Sequence, residues 1–277
     1  MLTVNLTTTS SRLDLCAPTL LSLVEQDYAA DRIVVWVSHD AYMADEGIAD
    51  INAMGAVARL VDQYPAIEIA FVANTGPYRK IMPALERASE EDWLVYCDDD
   101  VIYAKGWLAG LVDAFRRHHE AAVVATRVRR RQRSITGRWK GYMAFPLVQE
   151  EGAVDEPIIT GVGGALLKKG LINADYRVNQ DYTKVAPRAD DLWLSKIILL
   201  SHTPVIACPQ LLGQVMQIQH SAESLDSQNN LGLTQKSLVG KLCAALYYIA
   251  LIQLGRSSSN NDTTLRRVDA YFNHDRA

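Results

Sequence analysis

Residues 93–100 read Trp93-Leu94-Val95-Tyr96-Cys97-Asp98-Asp99-Asp100, an apolar run that stops abruptly at three carboxylates. A short apolar run bounded by charge fits a strand buried on both faces. Runs of the same kind stand at 2–6, 33–37, 67–72 and 121–125, and helix-period stretches at 13–26, 47–64, 80–89 and 106–118 lie between them. Strands alternating with helices build a mostly parallel sheet covered on both faces. The expected fold class is therefore α/β, with a mostly parallel central sheet flanked by helices.

In such sheets ligands bind beyond the carboxyl ends of the strands. The residues there are Thr7, Thr8, Thr9 and Arg12 after the first strand, Ser38-His39-Asp40 after the second, Arg79 and Lys80 after the third and the Asp triplet after the fourth. Hydroxyls, cations and carboxylates on one edge are what a metal-chelated diphosphate requires. Adjacent carboxylates repel by about 1 kcal/mol per pair even in water, and a divalent cation such as Mg²⁺ or Mn²⁺ relieves that cost through oxygen ligands. An acidic turn capping the next helix is the simpler alternative, but one Asp would suffice for it. Asp190-Asp191-Leu192-Trp193-Leu194 places two further carboxylates at the start of an apolar helix. One could be an N-cap; one could be a general base for a sugar hydroxyl.

These motifs, in this order, resemble the GT-A glycosyltransferases, specifically the inverting, family-2-like enzymes of bacterial surface-polysaccharide assembly. Arg12, Leu21-Ser22-Leu23 and Gln26-Asp27-Tyr28 are similar to the opening signature of that group. Asp98-Asp99-Asp100 resembles its DxD metal motif, and Asp190-Asp191 with Leu194 resembles its [ED]DxxL motif. The resemblance covers about residues 1–215. It implies a nucleotide-sugar-binding half at 1–125 and an acceptor-binding half at 126–215; the remaining 216–277 reads as a C-terminal helical extension and tail.

Residue by residue, the resemblance implies that Asp191 is the base with Asp190 beside it. Asp100 would hold metal and diphosphate, Asp98 would face the nucleoside and share the metal, and His220 is a further candidate metal ligand. Thr7, Thr8, Thr9, Arg12, Asp40, Arg79, Lys80, Asp98 and Asp99 are the candidate donor contacts, and Gly163, Gly164 and Trp193 the candidate acceptor contacts. Asp40 stands where the group usually has an acidic pair followed by Gly-Ser. The turn Gly161-Val162-Gly163-Gly164 lacks the third glycine of a dinucleotide fingerprint, so close approach of an acceptor sugar to the backbone accounts for it better.

With 28 Lys+Arg against 32 Asp+Glu in 277 residues, the net charge of −4 gives no overall field for nucleic acid. Seven cations (Arg127, Arg129, Arg130, Arg131, Arg133, Arg138 and Lys140) nevertheless fall in 127–140 without an acid, leaving 21 against 32 elsewhere. That segregation suits an anionic membrane or a lipid-diphosphate acceptor; a solvated loop is the alternative. The apolar segment 238–254 is at the lower limit for a spanning helix and reads as a helix packed on the domain, paired with a second subunit or lying in the membrane interface. The tail from Arg256 reads as polar, with 257–262 as a flexible stretch. The four cysteines lack metal or redox spacing, and the N-terminus lacks a signal-peptide pattern. A cytoplasmic enzyme, peripheral on the inner membrane face, is expected. A sugar nucleotidyltransferase is the rival enzyme class, but it normally carries a Gly-rich loop after the first strand, and 7–12 contains no glycine. A non-enzymatic sugar- or lipid-binding module would have no need of the Asp triplet.

Overall fold

The computed structural model describes residues 1–218, 251, 253 and 259–274. Strands β1 (Leu2–Thr7), β2 (Arg32–Val37), β3 (Ile67–Phe71) and β4 (Trp93–Tyr96) alternate with helices α1 (Leu13–Val24), α2 (Ala56–Gln63) and α3 (Met82–Arg87). They continue through β5 (Val101–Tyr103), α4 (Trp107–Arg117), β6 (Val123–Ala125), β7 (Val128–Arg130), β8 (Gly152–Ala153), β9 (Pro157–Ile159) and β10 (Ala165–Lys168). Helices α5 (Ala174–Arg177), α6 (Tyr182–Val185) and α7 (Asp190–Leu200) precede β11 (Val205–Ala207) and β12 (Val215–Gln217), and a last helix spans Asn260–His274. The central sheet has eight strands in the order β3-β2-β1-β4-β10-β6-β11-β8. Pairings among β3, β2, β1 and β4 are all parallel. Strand β10 enters antiparallel between β4 and β6, and β8 is antiparallel on the far edge.

Period-2 alternation explains why these strands sit inside. Ile33, Val35 and Val37 of β2 point to the same apolar layer as Leu2, Val4 and Leu6 of β1, with α1 and α4 packed over it. Val34 and Trp36 face the opposite layer together with Leu94 and Tyr96 of β4. Each buried aliphatic side chain contributes about 1.5–3 kcal/mol, so a one-residue slip of β1 against β2 would cost a whole row. Asn5, the polar residue in the middle of β1, is fully engaged: it donates to the Val95 carbonyl at 3.1 Å and accepts from Trp36 Nε1 at 3.1 Å. Parallel pairing aligns the carboxyl ends of β1, β2 and β4 on one edge, which positions the site. Cys16, Cys97 and Cys208 are buried free thiols.

Three expectations change in the second half. The boundary expected after residue 215 falls inside β12, which pairs with β5 across Val215 and Tyr103. Trp193 does not reach an acceptor: it is fully buried, its ring 4.8 Å from Phe272 and 5.5 Å from Tyr271. The polar stretch after Arg256 is helical from Asn260 onward. Ser259 and Asp262 start that helix as a reciprocal cap, Asp262 N–H donating to Ser259 Oγ at 3.1 Å and Ser259 N–H to Asp262 Oδ2 at 3.2 Å. Val268 and Phe272 then pack into the same apolar layer as α7. Candidate ligand His220 lies outside the described residues, as does the expected helix 238–254 apart from Leu251 and Gln253. Among the described residues no helix is long and apolar enough to cross a membrane.

Phe272 therefore carries part of the support for α7. Phe272→Ala is expected to lower Tm by roughly 10 °C, the outcome of a lost large core side chain at this chain length, measured by differential scanning calorimetry. A shift within 2 °C of zero would mean that the last helix contributes no core.

Candidate active site

The carboxyl edge of β1 turns through Thr7, Thr8 and Thr9 into Arg12. Thr7 Oγ1 donates to the Trp36 carbonyl at 2.8 Å, which ties the ends of β1 and β2 together. Arg12 reaches across to the end of β4. Its Nε donates to both Asp99 oxygens at 3.1 Å, its Nη2 donates to Asp99 Oδ1 at 2.6 Å, and Nη2 lies 3.0 Å from Asp100 Oδ2. The Asp99 backbone is anchored too, its carbonyl accepting from Thr19 Oγ1 at 2.9 Å. The triplet is therefore held in a fixed order by α1 and by the loop before it.

Lys80 occupies the centre. It is buried, its Nζ donating to Asp98 Oδ1 at 2.8 Å and lying 2.8 Å from Asp190 Oδ2 as an ion pair without hydrogen-bond alignment. Burial alone would lower the ammonium's pKa, but Asp190 and Asp98 outweigh it and hold it well above its ordinary value. One cation thus joins the end of β4 to the start of α7. Beside it, both oxygens of Asp191 accept from the Gly161 N–H, at 3.1 and 3.2 Å. Burial and then the like charge of Asp190 push the Asp191 carboxyl up to about 8. Burial raises Asp98 as well, against the pull of Lys80.

Around Arg12 and Lys80 stand five carboxyl groups, Asp98, Asp99, Asp100, Asp190 and Asp191, so acidic side chains outnumber basic ones by three. Among the described residues no three His, Cys, Asp or Glu side chains converge as a self-sufficient metal site. The donors are all oxygen and the negative charge is in surplus, which fits a hard divalent cation that takes one or two carboxylates and completes its shell from a diphosphate.

Arg79 is nearly inaccessible. Its Nη2 donates to Asp45 Oδ2 at 2.8 Å and to the Thr8 carbonyl at 3.2 Å, while Nε and Nη1 have no hydrogen-bond partner in the structure. Asp40 stands exposed on the rim, and its carbonyl accepts from Asn74 Nδ2 at 2.7 Å. The buried acid after β2 is instead Asp45, which also accepts from the Gly47 N–H and Asn74 Nδ2, each at 3.1 Å. Sequence reasoning passes over Asp45 because it stands eight residues beyond the strand; its offset to Gly47, an Asx-type turn, is the local signal.

The glycine turn also differs from expectation. A Cβ at Gly163 would lie 2.9 Å from Arg127 N, and one at Gly164, whose φ is +72°, would lie 2.4 Å from Trp107 Cζ2. Both positions are tight against the protein itself. Gly161 is the position that faces the site, since a Cβ there would meet Asp98 Oδ1 and Lys80 Nζ at 2.6 Å.

A mostly parallel sheet with carboxylates gathered on the carboxyl edge, and α7 closing the site from the second half, defines an α/β protein of the GT-A class. Residues 9–172 match the family model described as Glycosyl transferase family 2, more than half of the chain, and the protein belongs to that family. Comparison with curated proteins finds no significant match. Among solved structures, S. aureus TarS 1–349 is similar at TM-score 0.50 and 18% identity, covering 74% of this chain and 57% of that one. The mannosyltransferase PcManGT from Pyrobaculum calidifontis, solved in complex with GDP-Man and Mn²⁺, gives 0.46 and 18%, over 76% and 55%. The 2-C-methyl-D-erythritol 4-phosphate cytidylyltransferase of Francisella tularensis gives 0.45 and 11%, over 82% and 95%. At these identities the likeness is one of fold. The chain spans a little over half the length of the first two structures.

Lys80→Met removes the shared partner of Asp98 and Asp190. Breaking a buried pair costs about 3–5 kcal/mol, so Tm at pH 8 should fall by roughly 10 °C. Asp98, already raised by burial, then loses the pull of Lys80 and holds its proton to higher pH than in the unfolded chain, so the deficit should shrink towards pH 5. A deficit that does not change with pH would show that Asp98 is not the cause.

Proposed function

We propose that the protein is a metal-dependent inverting glycosyltransferase, moving a sugar from a nucleotide-diphosphate sugar to an acceptor hydroxyl. The observation that carries this reading is Asp191: a carboxylate with a raised pKa, held by the Gly161 N–H beside the Lys80 bridge, at the edge where this fold binds ligands. A general base works best when its pKa lies near the operating pH. Asp191 accepts the acceptor's hydroxyl proton while that oxygen bonds to the anomeric carbon and the bond to the diphosphate breaks. Asp190 holds Lys80 in place. Arg12, Lys80 and the Thr7–Thr9 turn supply donors for the diphosphate, and Arg79 keeps two N–H groups without partners behind that turn.

Asp98 and Asp100 would hold Mn²⁺ or Mg²⁺. A divalent cation supplies charge neutralisation for the leaving diphosphate. Asp40 and Asp98 are assigned to the nucleoside side. The acceptor class is a saccharide or lipid-linked saccharide of bacterial surface-polysaccharide assembly, supported by the Asp190-Asp191-x-x-Leu194 resemblance and by the segregated cations of 127–140. The GT-A unit is assigned to 1–217, so that it includes β12, with its donor half at 1–125 and its acceptor half at 126–217.

Transfer should disappear on chelation with EDTA and return with Mn²⁺ or Mg²⁺. Thermal-shift screening of nucleotide sugars with and without Mn²⁺ tests the donor class directly, since a ligand at a hundred times its Kd adds about 2.7 kcal/mol. Stabilisation by no nucleotide sugar, together with pyrophosphate release from a nucleoside triphosphate, would point to the nucleotidyltransferase class instead.

Asp191→Asn should reduce kcat by about 10²–10⁴-fold and leave donor affinity within twofold. Wild-type kcat/KM should rise with pH and level off above about 8. Because the folded protein keeps the Asp191 proton to higher pH than the unfolded chain, ionising it costs stability as pH rises from the ordinary carboxylate range to about 8. The variant should therefore melt above wild type at pH 8–9 and with it near pH 4. Near-normal turnover by Asp191→Asn would remove the base assignment.

A further inference from the structure

None of the basic run is assigned a role in the transfer step above. It folds as a hairpin leaving β7. Arg133 and Trp139 form an antiparallel bridge, and the turn closes with Ser134 N–H on the Arg138 carbonyl at 2.6 Å and Gly137 N–H on the Ser134 carbonyl at 3.0 Å. At its tip Ile135 is fully exposed, with a relative accessibility of 101%. Just behind the tip, the Trp139 ring lies under two guanidiniums, 4.3 Å from Arg131 and 4.0 Å from Arg133.

Between the hairpin and the 260–274 helix opens a cavity of about 360 Å³, lined by Arg131, Arg133, Arg138, Trp139, Lys140 and Arg266 among others. The two acids on its wall are already engaged. Asp269 pairs with Arg131 at 2.7 Å and Lys196 at 2.9 Å. Asp262 accepts from the Tyr142 N–H at 2.6 Å and from Ser259 Oγ at 2.7 Å. Among the described residues, Arg133, Arg138 and Lys140 have no carboxylate partner. Arg131 is only 8% exposed, and its Nε has no hydrogen-bond partner.

We propose that the 131–141 hairpin docks the protein on an anionic phospholipid surface, with Ile135 entering the boundary between headgroups and acyl chains and the cavity receiving a lipid phosphate. Uncompensated cations suit the headgroup phosphates, and a tryptophan beside them suits the interfacial layer. An aliphatic side chain at the apex has nothing to pack on in water and a place to go in a bilayer. A nucleic-acid surface would make no use of it. The three residues of β7, about 10 Å of strand, separate this hairpin from Thr160 and Gly161 at the cleft. Docking would hold the cleft within reach of a lipid-linked acceptor. That consequence rests on the proposed transfer reaction; the docking does not.

Co-sedimentation of the full chain with phosphatidylcholine vesicles, with and without phosphatidylglycerol, tests it in the absence of donor. Wild type should partition to the anionic vesicles and much less to the neutral ones. Arg133→Gln/Arg138→Gln should weaken that partition about thirtyfold, from about fivefold per cation. Ile135→Asp should weaken it about tenfold. The melting temperatures of both variants and their donor hydrolysis in solution should match wild type, since these side chains are exposed and distant from the cleft. Trp139 emission should blue-shift on anionic vesicles and be quenched by bromolipids. Equal partition to both vesicle types would overturn the proposal. So would anionic binding by Ile135→Asp equal to wild type, which would mark the hairpin as a general polyanion surface such as RNA would use. A protein that binds vesicles as described but turns over no donor would keep this inference and lose the transferase reading.

Discussion

A buried ammonium needs its carboxylates. Lys80 sits where the end of β4 meets the start of α7, with Asp98 on one side and Asp190 on the other, each 2.8 Å away. Leaving any member of such a group unpaired costs several kcal/mol, so the end of β4 and the start of α7 are tied together at the candidate site. The same cation tempers the repulsion that Asp190 exerts on Asp191. Donor carboxylate, bridging cation and candidate base are thereby placed by one set of charges. Gly161 is part of the same constraint, because any side chain there would collide with both Asp98 and Lys80.

The frame that allows this is the antiparallel insertion of β10. Because β10 pairs with β4 on one side and β6 on the other, the 160–164 turn that leads into it arrives directly above the end of β4. Trp107 Nε1 donates to the Gly163 carbonyl at 3.0 Å and fills the space under Gly164. Helix α7 is backed on its outer side by the 260–274 helix through Trp193 and Phe272. Phe272 thus stabilises the helix that carries the candidate base.

Most of the strands and the first helices were legible because buried parallel strands and amphipathic helices announce themselves within a few residues. The Asp triplet and Asp190-Asp191 stood out as candidate chemistry for a related reason, since charge beside an apolar run is expensive unless it is used. Asp45 did not. It stands in a loop, and only the arrival of Arg79 from another loop turns it into a buried ion pair. Trp193 failed in the opposite direction: an aromatic beside two catalytic-type acids looks like a sugar platform until the last helix covers it. That helix had its own written signal, Ser259-x-x-Asp262. Its polar composition masked the buried stripe of Leu265, Val268 and Phe272.

The −4 of the whole chain is the sum of −11 spread over the chain and +7 in one fourteen-residue run. The sequence by itself determined that segregation, the α/β class and the identity of the acids that crowd the sheet edge, because composition, periodicity and charge are local properties. Only the tertiary structure decided which acid meets which cation, which glycine faces the site and which aromatic is core. Those outcomes depend on contacts between residues tens of positions apart, such as Lys80 with Asp190 and Arg131 with Asp269. No local pattern encodes a distance that the folding of the intervening chain sets.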